Sequence, residues 1–218
     1  VYPAGNYKYY WNGRDNNNIS VPTGIYAYVL QGPKTSFTEK ALVNTASIHY
    51  QLKNYTKAID SYYQLEEIAE YNSNIALARI GQMRCSFFLK DHADAIASAK
   101  AVLATPKISN EVQNEAHYMM AKSGLETDDY NLAMKEFTIT QERTRSEIGA
   151  ASKYYIAYIH YLRSEHDSSE KRIFELARMV PSYDYWVAKG FILLADNYLQ
   201  VDNAFQAKAT LQSVMDNN

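Results

Sequence analysis

Five histidines, His49, His92, His117, His160 and His166, are the side chains in this sequence best suited to hold a metal or move a proton. Their spacing serves neither role. A helical metal site needs imidazoles one turn apart on one face, as in a His-x-x-x-His pair, and no such pair occurs. His49, His117 and His160 fall on the first helices of different hairpins, so only a long-range fold could bring them together. General acid–base work needs two facing carboxyl groups. The candidates are Glu66-Glu67, Asp128-Asp129, and Glu165 with Asp167. Adjacent residues on a helix point apart, and the latter two sets fall in predicted turns, where helix capping accounts for them. Cys85 is the only cysteine, so it makes no internal disulfide and no cysteine-based metal site. Beside Phe87 and Phe88 it reads as a small core residue. Asn54-Tyr55-Thr56 matches a glycosylation acceptor but lies in a predicted interhelical turn. No Gly-rich phosphate loop or nucleophile elbow is present. The expectation is a protein that is not an enzyme and needs no cofactor, catalytic residue or metal.

The elements behind these residues explain their distribution. The chain has 218 residues, 47% apolar and 21% charged, the composition of a packed protein. Its net charge of −2, with Lys and Arg spread throughout, offers no basic stripe for a phosphate backbone, so no nucleic-acid partner is expected. Apolar runs such as Phe191 to Ala195 are far too short for a membrane span. The start, Val1-Tyr2-Pro3-Ala4-Gly5, carries no basic-then-apolar leader, so a targeting signal is expected to be removed or to lie upstream. A single cysteine fits a reducing or an oxidising compartment.

Texture divides the chain into residues 1–31 and 33–218. The first part carries Pro3, Gly5, Asn12-Gly13, Asn16-Asn17-Asn18 and Pro22-Thr23-Gly24 between two aromatic, β-branched runs, Tyr7 to Trp11 and Ile25 to Leu30. This predicts a β-hairpin. After Gly32-Pro33 only Pro106 and Pro181 interrupt long stretches of helical periodicity.

Those stretches repeat. A small residue, an aromatic four later, a polar turn, then Ala and a large residue four later recur. The clearest copy is Leu42, Ala46, Tyr50, Asn54-Tyr55, Ala58-Ile59, Tyr62, Leu65. Second-helix small residues stand at Ala58, Ala95, Ala133, Ser169 and Ala207, with Met83 and Ser86 weakening the second copy. This pattern resembles the tetratricopeptide repeat. The resemblance implies an all-α solenoid of about five helical hairpins wound into a right-handed superhelix; a HEAT-like array is the structural alternative, disfavoured by the short unit and by Pro181. Small residues at the helix crossing let the backbones approach, and intervals of 36 to 38 residues predict long inter-repeat loops. The fifth copy ends without a polar capping helix, so further repeats are expected.

Ala195-Asp196-Asn197-Tyr198 and Gln206 to Leu211 are similar to segments of large bacterial envelope-associated repeat proteins, which implies a periplasmic or outer-membrane-associated scaffold. Trp11 to Asp15 and Val21 to Tyr28 resemble the last strands of an Ig-like module in flagellar hook-capping proteins. A fragment that short is not stable alone. It reads as the tail of an upstream module, as a piece joined to the array from elsewhere, or, for Tyr26 to Leu30, as the end of a preceding second helix.

In a superhelix the concave face is lined by first-helix residues. The repeat pattern places Ser47, Tyr50, Arg84, Phe88, Tyr118, Lys122, Tyr154, Tyr158 and Asp196 there, an aromatic and cationic surface suited to a peptide or helix. The family's carboxylate clamp would need Lys and Asn where this chain has Val43 and Ser47, so that capture mode is not expected. Two function classes follow: a scaffold that binds a protein segment on its concave face, and a structural spacer or assembly domain of a larger envelope complex acting through its ends and convex face.

Overall fold

The computed structural model describes Gly13, Arg14, Ile19, Ser20 and residues 36–216. The chain forms two compact units, Val1–Gln31 and Gly32–Asn218. In the first, Arg14 and Ser20 form an antiparallel bridge; the two predicted strands lie outside the described residues.

The second unit is all-helical. Its ten described helices are α1 (Ser36–Gln51), α2 (Tyr55–Ile68), α3 (Asn72–Leu89), α4 (His92–Leu103), α5 (Asn110–Glu126), α6 (Tyr130–Arg143), α7 (Glu147–Leu162), α8 (His166–Ala177), α9 (Asp184–Gln200) and α10 (Ala204–Asp216). They pair as five hairpins, each an odd-numbered first helix and an even-numbered second one. Each first helix after α1 also packs on the second helix before it. The five small second-helix residues Ala58, Ala95, Ala133, Ser169 and Ala207 are all buried at these crossings. Cys85 lies in the core, as its neighbours predict.

The turn inside each hairpin has one construction. Lys53, Lys90, Asp128, Ser164 and Asp202 adopt left-handed φ values of 56–60°, each five residues before its small second-helix residue. The next amide, in Asn54, Asp91, Asp129, Glu165 and Asn203, donates back to the carbonyl of His49, Ser86, Gly124, His160 and Tyr198 at 2.8–3.0 Å. This pattern satisfies the carbonyls that a helix end leaves unpaired. The residue after the left-handed one then starts the second helix: the Asp91 and Asp129 carboxylates accept from the amides of Asp94 and Leu132 at 3.1 and 3.0 Å. A two-residue device therefore both stops one helix and caps the next.

The long repeat interval is only partly a matter of loops. Connections of six residues join α4 to α5 and α8 to α9, but three residues suffice between α2 and α3 and between α6 and α7. First helices of 16–18 residues absorb the rest.

Candidate functional site

Successive first helices touch one another, α1 to α3, α3 to α5, α5 to α7 and α7 to α9, whereas no two second helices do. Neighbouring hairpins are therefore closer at their first helices, which makes that layer the inner, concave one. Along it the predicted residues fall into two groups.

In the N-terminal group, Tyr50 on α1, Tyr55 on α2 and Phe88 on α3 form an aromatic cluster. Tyr55 stacks on Phe88 with centroids 4.8 Å apart, and Tyr50 meets Tyr55 edge-on at 5.6 Å. Burial raises the Tyr50 phenol above its ordinary range, and the nearby Arg84 charge only partly offsets this. Ser47 lies by Tyr62, whose phenol burial also raises. Arg84 is engaged inside the array: its Nε and Nη2 donate to the two carboxylate oxygens of Glu115 on α5 at 2.7 and 2.6 Å.

The second group surrounds a cleft of about 390 Å³ lined by residues of α5, α6, α7 and α9. Lys122 and Leu125 come from α5, Tyr130 from α6, Tyr154, Tyr155 and Tyr158 from α7, and Lys189 from α9. Helical spacing puts Tyr154 and Tyr158 one turn apart on one face, and their rings stack at 6.3 Å. Tyr118 is deeper; its ring packs edge-on against Phe137 at 5.9 Å, and Phe137 stacks on Tyr155 at 5.1 Å. Tyr118 thus supports the cleft from behind, and burial pushes its phenol well above the ordinary range. Burial, with help from Tyr155 and Tyr158 and from the charge of Asp196, pushes Tyr154 up to about 12. Asp196 itself is exposed on α9.

Two ammonium groups face this aromatic wall. Lys122 Nζ stands 4.2 Å from the Tyr155 centroid and 3.2 Å from Glu126, its ion-pair partner. Lys189 Nζ lies 4.8 Å from the Tyr154 centroid and 5.2 Å from that of Trp186, with Tyr155 and Tyr185 just beyond. Among the described residues no carboxylate is within ion-pair distance of Lys189. Quadrupole attraction from several rings holds it instead.

Lys189, Tyr155 and Trp186 were not among the residues the sequence singled out. Lys189 stands two helical turns before Asp196 on the same face of α9, which is the signal that points to it. Phenols held neutral, two ammonium groups and flat apolar rings supply donors, positive charge and stacking surface. That inventory is suited to binding.

Three of the histidines are tied to neighbouring side chains of the array. His117 Nδ1 lies 2.6 Å from Glu136, His160 Nδ1 2.6 Å from Glu165, and His166 Nδ1 2.9 Å from Asn197 Oδ1. No group of three or more His, Cys, Asp or Glu that could hold a metal occurs among the described residues. No described helix is long and apolar enough to cross a membrane.

No family model matches the chain, and no curated protein matches it. Solved structures do. MamA from Desulfovibrio magneticus RS-1 is 14% identical with a TM-score of 0.67, covering 86% of this chain and 96% of that one. YrrB, described as a TPR protein with an unusual peptide-binding site, is 14% identical with a TM-score of 0.63, covering 84% and 92%. A tetratricopeptide repeat protein from Parabacteroides merdae is 18% identical with a TM-score of 0.61, covering 85% and 67%. At these identities the likeness is one of fold, and this chain has the tetratricopeptide-type helical-hairpin fold.

Proposed function

We propose that the array is a non-catalytic scaffold that holds a segment of another protein on its inner face, centred on the cleft between α5, α7 and α9. The observation that carries this is Lys189, an ammonium boxed by aromatic rings and without a carboxylate partner among the described residues. Tyr154, Tyr158 and Lys122 line the same cleft. Flat amphipathic rings with a cation favour an extended segment that presents a carboxylate or carbonyl beside an apolar side chain. The peptide-binding site described for YrrB, a protein of the same fold, supports the general mode. Ser47, Tyr50 and Phe88 would contact a longer segment continuing toward α1, and Asp196 one continuing past α9; Arg84, paired with Glu115, holds the inner layer beneath it. An envelope location is part of the proposal, supported by the resemblance of Ala195 to Tyr198 and Gln206 to Leu211 alone.

The test is a peptide-display selection on the immobilised chain, followed by calorimetric titration of the selected peptide. Lys189→Met and Tyr158→Ala are each expected to weaken binding at least about tenfold, or roughly 1.4 kcal/mol, with helicity and melting unchanged. Tyr50→Ala reports whether the segment reaches the N-terminal cluster. Failure to select any peptide, or equal affinity of the cleft variants, would sink the reading.

A further inference from the structure

Two ammonium groups converge on one aromatic ring of the cleft, and only one of them has a counter-ion. Lys122 Nζ and Lys189 Nζ stand 4.2 and 5.9 Å from the Tyr155 centroid, although they come from α5 and α9. Phe137 stacks on Tyr155 with the ring planes 14° apart and covers one face of it, so both ammonium groups gather at the other. They arrive from opposite sides, because α7, which carries Tyr155, touches α5 on one side and α9 on the other. Like charges so placed repel. Glu126, one turn after Lys122 on α5, offsets one of them by accepting from its ammonium at 3.2 Å. The other carboxylate of the cleft, Asp128, accepts from the Tyr130 hydroxyl at 2.8 Å. Among the described residues no carboxylate is within ion-pair distance of Lys189.

The pair of Lys122 with Glu126 is lopsided. The lysine side chain is 16% exposed and packed in the cleft, while the glutamate is 54% exposed at its rim. An exposed pair one turn apart on a helix is held weakly, so an incoming anion can take the place of Glu126.

Taking the cleft as the place where a segment is held, we infer that Lys122 and Lys189 form a two-point seat for the carboxylate of an acidic side chain in that segment, with Glu126 as the resident counter-ion it displaces. Each ammonium offers a charge-assisted hydrogen bond of about 2.7–2.9 Å, and flexible lysine stems let two of them close on the two oxygens of one group. A neutral carbonyl would leave the repulsion between the ammonium groups in place. A phosphoryl group would bring a larger charge against Glu126 and Asp128. The seat is also placed differently from the family's carboxylate clamp. Lys122 stands at the Ser47 position of its hairpin, but Lys189 stands at the position of Lys40, three residues ahead of the Val43 position that the clamp requires.

Equilibrium dialysis of the full 218-residue chain against sets of synthetic octapeptides tests this. All are random in Leu, Tyr, Ser and Gly apart from one central residue. One capped set carries Glu there, a second Gln and a third phosphoserine; a fourth carries Gln and a free C-terminal carboxylate. The capped Glu set is expected to be retained at least about fivefold better than the capped Gln set, and better than the other two. Lys122→Met and Lys189→Met should each remove most of that preference and leave retention of the capped Gln set unchanged. Glu126→Gln should strengthen binding of the Glu set about threefold, because nothing then competes for Lys122. Asp128→Asn removes the same charge from a residue that does not pair with Lys122, and should strengthen it by less than about twofold. Circular dichroism checks that each variant keeps its helicity, and the comparison of peptide sets needs no variant at all. Equal retention of the capped Glu and Gln sets overturns the seat while leaving the cleft as a holder of segments; retention of no set overturns both. Preference for the free C-terminus or for phosphoserine overturns the assignment to an acidic side chain. A Glu126→Gln chain that binds like wild type, or an Asp128→Asn chain that matches it, overturns the role of Glu126.

Discussion

Arg84 on α3 and Glu115 on α5 are joined by two parallel hydrogen bonds, Nε to Oε1 at 2.7 Å and Nη2 to Oε2 at 2.6 Å. The pair spans two consecutive first helices and ties the inner layer together. The Glu115 hydrogen bond raises the Arg84 pKa against the opposing effect of burial. Both side chains remain about a third exposed, so solvent screening limits the contribution. Arg84→Ala is expected to cost about 0.5–1 kcal/mol in urea unfolding, and Glu115→Ala a similar amount. The double variant should cost less than the sum, with a coupling of roughly 0.5 kcal/mol or more. Strict additivity would show that the pair contributes nothing.

Glu136 on α6 should make stability fall in acid. Its carboxylate is buried, and burial alone would raise its pKa. The hydrogen bond and charge of His117, with Lys135 adding to them, outweigh that and hold it below the ordinary value of 4.5. A carboxyl group depressed in the folded state stabilises above its unfolded pKa, and the contribution is lost as pH falls through the folded value. At neutral pH, Glu136→Gln is expected to cost about 1–2 kcal/mol. The gap between wild type and variant should narrow steadily once the pH drops below about 4.5. Chemical denaturation at several pH values measures it, and a gap that is constant with pH would refute the assignment.

The hairpin turns hold a reserve of stability. Lys53, Lys90 and Ser164 occupy left-handed conformations at φ 57°, 60° and 58°. A side chain there costs roughly 1–2 kcal/mol, whereas glycine's added freedom in the unfolded chain costs about 0.4–1 kcal/mol. Each single change to glycine should therefore stabilise by about 0.5–1 kcal/mol, read as an increase in thermal midpoint. Asp128 is a poorer site because its carboxylate accepts from the Tyr130 hydroxyl at 2.8 Å. Loss of stability at Lys53→Gly would mean that its side chain makes a compensating contact.

Gly81 on α3 lies against Tyr62 on α2: a methyl group there would overlap the tyrosine ring. That ring is only 5% exposed and has no room to withdraw. Gly81→Ala is expected to destabilise by about 1–3 kcal/mol through overpacking, although alanine is the better helix former. Combining it with Tyr62→Leu should cost less than the two changes summed. Denaturant midpoints for the four species decide this.

Much of the fold was legible because its determinants are local and repeated. Ala58, Ala95, Ala133 and Ala207 marked the crossings, and Asn54-Tyr55 and Asp128-Asp129 marked two of the turns. The left-handed residues were not legible, since Lys, Ser and Asp carry no signature where glycine would have announced the conformation. The separation of the site residues into two groups was also hidden. It depends on which rings meet across consecutive hairpins, as Phe137 meets Tyr155, and not on spacing within one. Arg84 looked available because its partner, Glu115, lies a full repeat away. The position of Lys189 holds Lys40, Leu77, Glu115 and Ala151 in the four preceding hairpins, so the repeat pattern gave no consistent reason to single it out.

Because each helix packs only on its own and the adjoining hairpins, the array is coupled as a row of links, each sensitive only to its neighbours. Damage to one link weakens that stretch without an instantaneous loss of the others, and melting is expected to run inward from the ends. The C-terminal link is the weakest, since α10 buries a single residue, Ala207. Amide exchange should therefore form a gradient, fastest in α10 and slowest around α5 to α7, where Phe137, Ile156 and Ile159 are fully enclosed. The aromatic cleft lies along the most slowly exchanging stretch, so its shape is held even while the last hairpin opens and closes.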